Sequence, residues 1–210
     1  MIFPQQNEIG HVTLSPDGPF VTGARVTLAV TFTVGHAGLK TGAQLRIGLP
    51  NTGWEKPVVP QARYWSELVS GKARGYAPFH PVNTTAILKT NGKAVVALES
   101  MERMLLPDED PAEAYWRWWI TAKVEDASLV EGDQIIITYG DPKYVGEKAR
   151  IQTFPETDLT ISAYVDVGDG KWVRPANAPV KIDVIPGEAT RANVVVSSVM
   201  GIKNPTVRLA

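Results

Sequence analysis

The sequence predicts an all-β protein, an immunoglobulin-like antiparallel β-sandwich with a long aromatic and proline-rich insertion loop. In residues 26–34 the large apolar side chains occupy even positions, a two-residue period typical of a strand with one buried face. Residues 159–167 repeat this period with their apolar side chains at odd positions. Turn residues separate about nine or ten such segments, a spacing typical of immunoglobulin-like sandwiches.

The other strands follow the same logic in chain order. Residues 44–49 alternate and are expected to stop at Pro50. Residues 85–89 and 94–99 flank Asn91-Gly92, a dipeptide that tolerates positive φ, and we predict that they form a β-hairpin. Asp169-Gly170 predicts a second hairpin, between strand 159–167 and residues 171–173. Further strands are predicted at residues 115–124, 134–139, 180–185 and 193–197.

Composition limits the classes of partner. The chain has 21 Lys and Arg against 22 Asp and Glu, so its formal net charge of −1 provides no field that would hold nucleic acid. The absence of cysteine excludes disulfides, thiolate metal sites and Cys nucleophiles. Because no segment approaches the roughly 20 apolar residues that span a bilayer, no membrane partner is expected. The chain is therefore predicted to be soluble, and cytoplasmic if Met1 is its natural start.

Three regions are expected along the chain: an N-terminal extension (1–9), the sandwich (10–190) and a C-terminal strand, tail or linker (191–210). The insertion loop at residues 50–83 contains five prolines and five aromatic residues. A connection of this length between strands is usually functional or packed on itself. This loop is therefore the first place to look for a site.

A set of turn and strand patterns is found in residues 23–50, 131–141, 149–154 and 184–187. Together they resemble the N-terminal β-sandwich region of large bacterial proteins of unassigned function, over roughly residues 10 to 200. Longer members of that group continue into a domain similar to PHP-type metal-dependent phosphoesterases, whose His and Asp metal ligands have no counterpart in this chain. The resemblance implies a scaffold or accessory domain, and no hydrolytic activity is carried over.

Candidate catalytic groups are sparse. The three histidines show none of the spacings that place two imidazoles on one metal ion, so neither a metal nor another cofactor is expected. One alternative function remains open, a small hydrolase or lyase. It would use His80 or His36 with Glu67 and Asp110, in a pocket under the loop at residues 50–83.

Aromatic residues give the leading hypothesis. In residues 115–124 the even positions form an apolar core face, whereas the odd face carries Arg117 and Trp119. The loop at residues 50–83 can cover this face, or it can leave a cleft beside it. Covering is favoured because a solvent-exposed Trp119 would be unfavourable. We predict a noncatalytic binding or accessory module for a small molecule or carbohydrate, or, as a further alternative, a structural homo-oligomer formed through sheet edges. The predicted ligand-binding residues are Trp54, Tyr64, Trp65, Tyr76, Arg117 and Trp119.

Overall fold

The computed structural model of the chain describes residues 6–50, 53–55, 57–58, 82–90, 96–102, 116–142 and 148–188. Within these ranges the four-residue helix α1 (Gln6–Ile9) is followed by strands alone, which confirms the prediction of an all-β protein. The strands are β1 (Gly10–Ser15), β2 (Phe20–Val21), β3 (Arg25–Val26), β4 (Leu28–Val34), β5 (Gln44–Pro50), β6 (Pro57–Val58), β7 (Val82–Lys89), β8 (Val96–Glu102), β9 (Trp116–Val124), β10 (Gln134–Tyr139), β11 (Ala149–Arg150), β12 (Glu156–Asp166), β13 (Trp172–Val173) and β14 (Val180–Ile185).

The strands form two main sheets. The first has the order β1-β4-β10-β7-β6, and the second has the order β2-β14-β12-β5-β9-β8. Strand β13 adds to the second sheet beside β12, and β3 pairs with β11 as a separate short ribbon. Neighbouring strands are antiparallel except at the short pairs β2–β14 and β6–β7. The described part of the chain contains no helix with the length and apolar character needed to cross a bilayer.

Both sheets contribute to one hydrophobic core. In β4 the four even-numbered apolar side chains, from Leu28 to Val34, are buried, as the two-residue period predicts. Alternate residues of β5, β9 and β12 join the same cluster from the second sheet. Ile9, which the sequence places in the N-terminal extension, is fully buried in this core as well. The packed domain therefore includes Ile9.

The hairpin predicted around Asn91-Gly92 is wrong, because its two strands belong to different sheets. Strand β7 pairs with β10 in the first sheet, whereas β8 pairs with β9 in the second. The long-range ladders to β9 and β10 therefore determine the pairing, and the local turn signal does not. Asn91 and Gly92 themselves lie outside the described residues.

The second predicted hairpin is confirmed. Strands β12 and β13 pair through Val165 with Val173 and Asp166 with Trp172. The Asp166 carboxylate stabilises the turn, because its Oδ1 accepts backbone N–H groups of residues 168, 169 and 170 at 2.8–3.0 Å. A smaller correction concerns β5, which continues through Pro50. Its ladder to β9 shifts register between Leu49 and Pro50.

Candidate functional site

The second sheet has an outer face that points away from the common core. Leu45 and Ile47 of β5 belong to the main core, so Arg46 between them lies on the opposite face. By the same alternation, Trp119 of β9 and Tyr164 of β12 lie on this outer face, and they form a cluster separate from the main core. The outer face therefore carries aromatic and cationic side chains where solvent-facing polar residues are usually found.

Strand register brings these side chains into neighbouring rows. Arg46 lies directly opposite Thr121 of β9 and Tyr164 of β12. In the adjacent row, Gly48 lies between Trp119 and Ser162. Residues directly opposite in a sheet have Cβ atoms about 4.5–5.5 Å apart, so side chains distant in sequence share one small surface.

Contacts between guanidinium groups and aromatic rings, and an edge-on pair of rings, dominate this surface. Arg46 Cζ lies 4.0 Å from the ring centroid of Trp172, and Arg174 Cζ lies 5.0 Å from that of Tyr164. Arg174 also donates a hydrogen bond from Nη2 to the Tyr164 hydroxyl. Trp119 meets Tyr164 edge-on, with centroids 5.7 Å apart and an interplanar angle of 66°. We call these five residues, Arg46, Trp119, Tyr164, Trp172 and Arg174, the Arg–aromatic cluster.

The cluster has a buried base and a half-buried rim. Trp119 is 1% exposed and Tyr164 8% exposed, whereas Arg46, Trp172 and Arg174 are half-buried. Burial lowers the pKa of the Arg46 guanidinium, and the carboxylates of Asp166 and Glu99 act in the opposite direction. The rim therefore presents cationic groups over an aromatic floor.

Two hydroxyl groups lie beside this floor. Thr121 is 4% exposed and Ser162 is fully buried. Among the described residues neither Oγ1 of Thr121 nor Oγ of Ser162 has a hydrogen-bond partner, and the same holds for Arg46 Nε. A buried polar group without a hydrogen-bond partner typically costs about 1–3 kcal/mol. These groups therefore reduce the stability that the outer face contributes to the fold.

Trp54, one of the predicted ligand-binding residues, lies elsewhere. It is 5% exposed, belongs to the main core and stacks on Tyr139 with ring centroids 6.0 Å apart. Its indole Nε1 donates to Gln152 Oε1 at 3.3 Å, and Gln152 Nε2 donates to Glu156 Oε2 at 2.9 Å. The structure thus places Trp54 in a cluster separate from Trp119.

The Tyr139 hydroxyl completes this interior network. It donates to the backbone carbonyl of Glu55, whose carboxylate accepts the backbone N–H of Arg150 at 3.0 Å. Burial is the main cause that raises the pKa of Tyr139, and the negative charge of Glu55 adds to it. Tyr139 therefore remains a neutral donor that anchors residues 53–55 to the sheet.

Trp54→Phe should lower the free energy of unfolding by about 1–2 kcal/mol, because the buried Gln152 Oε1 loses its donor while most of the ring packing is kept. Urea denaturation followed by circular dichroism measures this. Ligand binding at the Arg–aromatic cluster should not change. A variant that binds more weakly at unchanged stability would return Trp54 to the candidate ligand site.

The other predicted residues are placed as follows. His36 lies in an exposed turn, where Nδ1 is 3.1 Å from Glu131 Oε2 and the two side chains are 85% and 66% exposed. The pair borders an open groove of about 260 Å³ that also contacts Lys40 and Val130. Arg117 belongs to β9, and its side chain is not described. Six predicted residues lie outside the described ranges: Tyr64, Trp65, Glu67, Tyr76, His80 and Asp110.

Within the described ranges, no three His, Asp or Glu side chains lie close enough together to hold a metal ion. Sequence reasoning identified Trp119 but missed Arg46, Tyr164, Trp172 and Arg174. A usable signal was present for two of them, because Arg46 and Tyr164 occupy the polar face of alternating strands next to strictly apolar positions. Their mutual contact depends on strand pairing, which the local pattern does not show.

Comparison with known protein families and with curated proteins finds no match to this chain. The resemblance to the N-terminal region of large bacterial proteins therefore stays a prediction.

Proposed function

We propose that this chain is a noncatalytic binding module, with an immunoglobulin-like sandwich as its scaffold and the Arg–aromatic cluster as its ligand-contacting surface. The observation that carries the proposal is the stacking of Arg46 on Trp172 beside that of Arg174 on Tyr164. Stacked guanidinium and indole groups at a half-buried rim suit recognition of a ring-shaped organic ligand. An accessory role in a larger bacterial protein is part of this proposal and depends on the sequence resemblance alone.

The ligand class follows from the shape of the rim. Trp172 and Arg46 are half-buried, so part of each remains available to a ligand, whereas Trp119 below them is closed off. A sugar ring or a planar small molecule can stack on an indole face. We therefore propose a carbohydrate or small aromatic compound as the ligand.

Trp172→Ala should weaken ligand binding by about 1–3 kcal/mol, on the scale of aromatic stacking against nucleic-acid bases. A panel of soluble oligosaccharides and aromatic small molecules is first screened against the wild type by Trp fluorescence. Ligands that respond are then titrated into both proteins by calorimetry. Because Trp172 is half-buried in the two-residue strand β13, the fold should survive the substitution.

Phe154→Ala is the matched control. Phe154 is 40% exposed and precedes β12, outside the Arg–aromatic cluster, so its removal should leave affinity unchanged. Equal affinities of Trp172→Ala and the wild type would place the ligand elsewhere. A wild type that shows no saturable response to the whole panel would contradict the binding function.

A further inference from the structure

We infer that the ligand of the Arg–aromatic cluster carries a carboxylate, and that Arg46 is the residue that receives it. This inference depends on the proposed binding function and deepens it. A single arrangement carries it: a half-buried guanidinium whose Cζ lies over the ring of Trp172, with no ion pair to an acidic group among the described residues.

The contact with Trp172 does not use the N–H groups of Arg46 as hydrogen-bond donors. Arg46 Cζ lies over the Trp172 ring at 4.0 Å from its centroid, and the N–H donors of a guanidinium lie in its plane. Arg46 Nε is buried, so a ligand must approach the two Nη groups at the end of the side chain. A planar carboxylate fits two parallel N–H donors in a bidentate pair.

The charges near Arg46 are of both signs, and neither of the two carboxylates that act on it pairs with its guanidinium. Within the described residues no carboxylate oxygen lies within ion-pair distance of its guanidinium, although Asp166 and Glu99 act on it from further away. Asp166 is already engaged, because one of its oxygens accepts three backbone N–H groups of the β12–β13 turn. Arg174 adds a second cation on Tyr164, which lies directly opposite Arg46. A bound carboxylate would therefore complete a charge pair in a partly desolvated setting.

Benzoate and its neutral isostere benzamide are the probes, since both offer the same ring for stacking and differ in charge. We expect saturable shifts of the Trp172 indole N–H resonance in NMR titrations with benzoate. Benzamide should bind at least about tenfold more weakly, the scale of a hydrogen bond to a charged group. Raising the salt concentration should weaken benzoate binding and leave benzamide binding unchanged.

Arg46→Met should abolish the preference for benzoate over benzamide, and Arg46→Lys should keep part of it, because lysine retains the charge but not the planar pair of donors. Lys123→Met is the control. Lys123 is an exposed cation on the same face of β9, two residues beyond Thr121, so its loss tests whether net charge alone explains the preference.

Equal binding of the two probes to the wild type would overturn the inference while leaving the binding function standing. A folded Arg46→Met protein that still prefers benzoate would overturn it too, as would a Lys123→Met protein that loses the preference. If Arg46→Met does not fold, Arg46→Lys and the salt dependence of the wild type decide. Absence of any Trp172 shift with either probe or with the oligosaccharide panel would contradict the proposed function itself.

Discussion

Trp118→Ala should lower the free energy of unfolding by about 3–5 kcal/mol, the usual cost of removing a large aromatic side chain from a core. Trp118 is 8% exposed and belongs to the main core, on the inner face of the second sheet. It lies opposite Leu49 of β5, which is fully buried. Its removal therefore opens a cavity between the two sheets that neighbouring strands can fill only in part.

Urea denaturation followed by circular dichroism measures this loss without depending on the removed fluorophore. Trp118→Phe is the graded control, because it keeps an apolar ring in the core and should cost clearly less. For a chain of this length, each kcal/mol corresponds to about 2–4 °C in melting temperature. An unchanged melting temperature of Trp118→Ala would show that the faces of β9 are reversed.

Local alternation predicted the strands well because burial acts residue by residue. Strands β10 and β14 begin and end where the sequence predicts, at 134–139 and 180–185. The even positions of β9 from Trp118 onward enter the core, as the two-residue period requires. In a strand with one buried face, the alternation of apolar and polar residues shows which residues are buried. The position of such a strand can therefore be predicted without knowing which strands it pairs with.

Strand pairing was predicted less well because it is determined by residues far apart in the chain. Asn91-Gly92 favours a tight turn, yet β7 and β8 pair with β10 and β9 in different sheets. The turn signal describes the backbone preference of two residues only. The ladders that determine the topology depend on which apolar faces meet across the core.

The candidate site was likewise predicted only where the local pattern of one strand was enough. Trp119 was recognisable as an aromatic residue on the wrong side of an alternating strand, but Arg46 and Tyr164 join it only through the register of β5, β9 and β12. Trp54 was grouped with Trp119 on composition alone. The structure assigns Trp54 to the interior network with Gln152 and Tyr139.

Trp119→Ala should lower the free energy of unfolding by about 3–5 kcal/mol, as much as the change at Trp118, even though the two side chains lie on opposite faces. Trp119 is 1% exposed and meets Tyr164 edge-on, an arrangement that adds about 0.5–1.5 kcal/mol beyond the burial of area. Its removal should also loosen Tyr164, on which Arg174 stacks.

Trp119→Ala also tests whether Trp119 supports the Arg–aromatic cluster from below or contacts the ligand itself. If Trp119 supports the Arg–aromatic cluster from below, stability falls strongly and any loss of affinity follows from the displaced Tyr164. Lys123→Ala, on the same face of β9 but exposed, should change stability by less than about 0.5 kcal/mol. A Trp119→Ala protein that melts like the wild type but no longer binds ligand would instead show that Trp119 contacts the ligand directly. In that case the burial of its indole would have to be relieved on binding.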